Sequence, residues 1–126
     1  MGTLNEARAE LAEAVAGALD AATVTTYDHV PERLVIPAAM ISLGSPYLTD
    51  GETFGELAVR YVVDLVPDMG DNAEQTGNLI DMIEAEIVAM IAAGYMVEQV
   101  AQPRMLSVNN ANYLAASVTV TDRIQL

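Results

Sequence analysis

The sequence has no cysteine and no lysine. The first absence rules out a disulfide and any thiolate metal site, and a cysteine-free chain suits assembly in a reducing cytoplasm. The second rules out a P-loop, and no glycine-rich phosphate loop is present either. No run of about 18 apolar residues occurs, so no membrane-spanning segment is expected. No basic N-terminal region precedes an apolar stretch, so no signal peptide is expected. Histidine and phenylalanine occur once each, as His29 and Phe54. Positive charge is scarce: five arginines (Arg8, Arg33, Arg60, Arg104, Arg123) face eighteen acids, for a net charge of −13. Binding to nucleic-acid phosphates needs clustered cations and is disfavoured. Anionic membrane surfaces are disfavoured for the same reason. The acids keep a chain that is 52% hydrophobic in solution. They also suit a surface that repels a polyanion or meets a basic partner.

What remains, over 126 residues, is the material of one domain, 1–126. Thr3 and Glu6 form a capping-box pattern that opens a helix of about 18 residues. Leu4, Ala7, Leu11, Ala14, Val15, Ala18 and Leu19 recur at helical spacing. Val24 to Tyr27 is β-branched and predicts a strand. Pro31 and Pro37 bracket a turn or a twisted edge. The nearly unbroken apolar run Ile36 to Leu43 predicts a strand covered on both faces, ended by Gly44-Ser45-Pro46. Tyr47 to Gly55 then reads as a loop with an Asp-Gly turn signal, unusual in carrying Tyr47, Leu48 and Phe54. Leu57 to Val66 alternates, with Arg60 and Asp64 on the second face, which must be wet or paired with another charge.

Asp71 predicts a helix cap. Leu79, Ile80, Met82, Ile83, Ile87, Val88, Met90 and Ile91 predict a helix of about 20 residues, closed by Gly94. Its apolar arc is wide enough that contact from a second side is expected beyond the sheet. Tyr95 to Val100 predicts a strand whose extension Pro103 interrupts. Asn109-Asn110 predicts a turn. Asn112 to Leu126 predicts a long last strand, with Leu114, Ala116, Val118, Val120 and Ile124 on one face. The expected fold class is α+β: a mostly antiparallel sheet of about five strands with two packed helices, in the order α-β-β-β-α-β-β.

Candidate chemistry is sparse. His29 beside Asp28 could be a general base, but no evident nucleophile is near in sequence. Gly44-Ser45-Pro46 lacks the later glycine of a nucleophile elbow. Asp68, Asp71, Asn72 and Glu74 are oxygen-rich, but their spacing is not that of a calcium loop, and helix capping explains Asp71. Met82, Met90 and Met96 read as core filler. No catalytic residue, metal site or cofactor is expected, and the chain does not read as an enzyme. The signal left is interfacial: a long last strand, a wide helix face and an apolar-decorated loop. Open strand edges pair readily with other chains, and head-to-tail contacts close into rings.

The stretches Val30-Pro31-Glu32-Arg33, Pro37-Ala38-Ala39, Pro46-Tyr47-Leu48-Thr49 and Thr53-Phe54-Gly55-Glu56 resemble tail-terminator proteins of long-tailed bacteriophages of actinobacteria. Gly70-Asp71-Asn72 and Asn112-Tyr113-Leu114-Ala115-Ala116 fit the same pattern, and the element order agrees. The resemblance implies a virion structural protein of the tail or neck, assembled in the bacterial cytoplasm. It implies a homo-oligomeric ring, commonly a hexamer, that caps the head-proximal end of the tail tube. Its implied partners are the major tail tube protein and the head–tail connector proteins. Viral DNA would pass through the lumen without specific binding, and no membrane is involved. Tyr47, Leu48, Thr49 and Phe54 are the interface candidates. Two alternatives stand beside it: a neighbouring head–tail joining protein, and a small-molecule-binding domain.

Overall fold

The computed structural model describes residues 4–19, 24–51, 54–108 and 110–125. The expected cap Thr3 and the turn residue Asn109 lie outside them. Eight elements follow in order: α1 (Leu4–Ala18), β1 (Thr25–Tyr27), β2 (Ala38–Asp50), β3 (Glu56–Val66), α2 (Asn72–Ala92), β4 (Met96–Val100), β5 (Arg104–Val108) and β6 (Ala111–Gln125). The class is α+β, with two helices on a mostly antiparallel six-stranded sheet. The strand order is β1-β2-β3-β6-β4, with β5 also paired to β6. Only β1 and β2 run parallel. β5 is an addition to the expected elements. Pro103 separates β4 from β5, and both pair with β6, at Val118–Thr121 and Ala111–Ala115 respectively.

Each helix forms where its apolar period permits. In α1, Ala7, Leu11 and Val15 are buried at four-residue spacing, and Leu19 continues the series. In α2, the Asp71 side chain accepts the Glu74 backbone N–H at 2.8 Å, satisfying one of the free donors of the first turn. Gly94, at φ +93, turns the chain out of the helix. There Gly94 N–H donates to the Ile91 carbonyl at 3.1 Å and Tyr95 N–H to the Met90 carbonyl at 2.9 Å, the paired bonds of a Schellman ending.

The main core lies between the helices and one sheet face. Leu11, Val15, Leu79 and Met90 pack with Val59, Tyr61, Val63 and Leu65 of β3 and with Ala116, Val118 and Val120 of β6. The other face is covered at one end only. There Met40, Val66, Val108 and Ala115 form a small second cluster with Tyr27, Leu34, Ile36, Leu106 and Tyr113.

The expected end of the second strand at Gly44-Ser45-Pro46, with a loop from Tyr47 to Gly55, is corrected by the structure. β2 continues to Asp50. Its register with β3 shifts between Leu43 and Leu48, and pairing resumes at Leu48–Val59, Thr49–Ala58 and Asp50–Leu57. The irregularity absorbs Pro46, which has no N–H to give a ladder. Gly44 permits the close approach of the Arg60 side chain: a Cβ there would meet Arg60 Cγ at 2.4 Å. The result is a long β2–β3 hairpin whose outer end is backed by Arg123–Gln125 of β6.

Candidate functional site

The four interface candidates fall on this hairpin with different surroundings. Tyr47 turns inward, its ring edge-to-face with Tyr61 at a centroid distance of 6.2 Å. Leu48 and Thr49 follow on the exposed outer part of β2. Phe54 sits at the tip, fully exposed. The tip is closed by Gly51 N–H donating to the Glu56 carbonyl at 2.9 Å. β1 covers the free side of β2 only at Ala38–Met40. Among the described residues, Ile41 to Asp50 therefore have no strand partner on that side, leaving open main-chain groups near the exposed Phe54.

The uncovered part of the second sheet face carries paired charges. Arg60 donates through Nε and Nη2 to Glu98 Oε2 and Oε1 at 2.6 and 2.9 Å, a two-pronged ion pair. Hydrogen bonding to Arg60 holds the Glu98 carboxyl below its ordinary range and raises the guanidinium in turn. Four residues along β3, Asp64 is buried and accepts the Ser117 hydroxyl proton. Arg104 donates to that hydroxyl oxygen at 3.3 Å. The sequence left this face either wet or paired with another charge; the structure pairs Arg60 with Glu98 and Asp64 with Ser117, 38 and 53 residues away. Beside Arg60 and Glu98 is a hollow of about 440 Å³, also lined by Ser45, Val62, Gln99 and Thr119.

The other candidates are occupied locally. His29 Nδ1 lies 2.7 Å from Asp28 Oδ1 in an exposed pair, and this hydrogen bond holds the Asp28 carboxyl below its ordinary range. In the acid cluster, Asp71 caps α2, while Asp68 accepts the Met69 N–H at 2.8 Å. Met90 is in the core, Met82 packs against it, and Met96 is exposed.

One feature was missed in the sequence. Glu86 is wholly buried, and neither carboxylate oxygen has a hydrogen-bond partner among the described residues. Burial alone pushes its pKa from the ordinary 4.5 up to about 7. The signal was available: Glu86 lies four residues from both Met82 and Met90, inside the buried arc of α2. The wide apolar face expected of α2 is left partly uncovered. The helix does meet both the sheet and α1, yet Ile80, Val88 and Ile91 remain more than half exposed.

Compared with known proteins, the chain matches no family model and no curated protein sequence. The functional reading therefore rests on these surfaces and on the sequence resemblance.

Proposed function

We propose that this chain is a virion structural protein, a tail terminator that forms a ring on the head-proximal end of a phage tail tube. In that role it stops growth of the tube and offers its other side to the head connector. One observation carries the reading: the stretches that resemble terminators, Pro46 to Thr49 and Phe54-Gly55-Glu56, lie together at the outer end of the β2–β3 hairpin, where Phe54 is fully exposed. A monomer gains nothing by holding an aromatic ring in water; against a neighbouring subunit or the tube it would bury its full surface. The open side of β2 gives the same region main-chain groups able to pair with another chain. The charge fits the passage of DNA: copies bearing −13 each, without lysine, would present phosphates with a repelling channel.

The test is growth of tubes from purified major tail protein in the presence of this chain. The wild-type protein should arrest elongation. Phe54→Ala should need about tenfold more protein for the same arrest, equivalent to about 1.4 kcal/mol of lost contact. Its thermal midpoint should stay that of the wild type, because Phe54 touches no core. Equal loss of arrest and of thermal stability would refute the assignment of Phe54 to an interface.

A further inference from the structure

Beside the C-terminal half of α2, where α1 ends, lies a shallow, open apolar groove of about 470 Å³. Its walls are Ala18, the last residue of α1, and Ala85, Val88, Ala89 and Ala92 along the final turns of α2. Asp81 and Glu84 stand on its rim. Neither acid has an ion-pair partner among the described residues. Ile80 and Ile91, both more than half exposed, extend the apolar surface along α2 beyond the groove. No basic residue lies in the last turn of either helix. Two carbonyl-bearing helix ends and two free carboxylates thus put negative potential around an apolar depression.

We propose that this groove docks an amphipathic helix of another protein, one with aliphatic residues on one side and arginine or lysine flanking them. The chemistry selects this occupant. Small alanine walls admit a helix backbone at short range, and the aliphatic side chains cover Val88, Ile80 and Ile91. The flanking cations meet Asp81, Glu84 and the helix ends. A second copy is a poor occupant because it offers no cationic helix: α1 holds one arginine, Arg8, and α2 holds none. The inference concerns the helical layer and does not depend on the tail-terminator reading.

The probe is a synthetic 18-residue helix with leucine on one side and lysine and arginine on the rest, followed by fluorescence anisotropy. Two controls accompany it: the same composition scrambled to abolish the apolar side, and the same pattern with glutamate in place of the cations. The first peptide should bind at least tenfold more tightly than either control, and more weakly as salt rises. The double variants Ile80→Ser/Ile91→Ser and Asp81→Asn/Glu84→Gln change exposed residues, so the fold should persist. Each should weaken binding at least tenfold, and the second should also flatten the salt dependence. Equal binding of the scrambled peptide, or binding indifferent to both variants, would overturn the proposal. So would self-association of the wild-type chain that Ile80→Ser/Ile91→Ser abolishes, since the groove would then belong to a second copy.

Discussion

Glu86 makes a residue-scale contribution whose sign is fixed by linkage. Its folded-state pKa, about 7, lies above the ordinary value expected of the unfolded chain, so the folded protein holds the proton more tightly. The cost of the buried charge is absent below about pH 4.5 and grows as pH rises, levelling off above about pH 7. A difference of this size is worth on the order of 3 kcal/mol. Glu86→Leu should therefore change stability little at pH 5 and raise it by about 1–3 kcal/mol at pH 8, measured by urea unfolding. Parallel pH profiles for the two proteins would show that the carboxyl ionises without penalty. Across the sheet, Asp64→Ala should cost about 1–3 kcal/mol in the same assay, because it strands the Ser117 hydroxyl in a buried setting. Arg60→Ala should cost much less, since its pair with Glu98 faces solvent. Equal losses would mean that the Ser117 contact adds nothing.

At the scale of elements, α2 was the most legible from sequence: its cap, its apolar stripe and its closing glycine are all local signals. β3 and β6 were legible because alternation over ten or more residues fixes which side faces the core. Val118→Asp should therefore prevent folding, by burying an unpaired charge within the main cluster; a folded, soluble variant would contradict that placement. Two elements were hidden. The outer half of β2 was hidden because Gly-Ser-Pro is ordinarily punctuation, and only the partner strand shows that pairing resumes past it. β5 was hidden by Pro103, for its five residues acquire strand geometry from pairing with β6, a contact without local signature. Of the interface candidates, the sequence could find apolar residues in an odd place, but not that Tyr47 turns onto Tyr61 while Phe54 points away. Gly44→Val tests the bulge. It should displace Arg60 and lower stability by about 1–3 kcal/mol through overpacking; an unchanged urea midpoint would show that the strands part easily there.

For the whole molecule, the acids and the exposed apolar groups belong to one argument. A charge of −13 with few cations opposes casual self-association, which on the proposed reading lets Phe54 stay exposed until the tube or a neighbouring subunit covers it. Assembly of like-charged copies should then be favoured by salt, which screens their repulsion. The most direct measurement is the length of tails, by electron microscopy, in particles produced with and without this protein. Loss of the protein should give tails that overrun a uniform length and fail to join heads, and resupply should restore both. Tails of normal, uniform length in its absence would contradict the terminator reading.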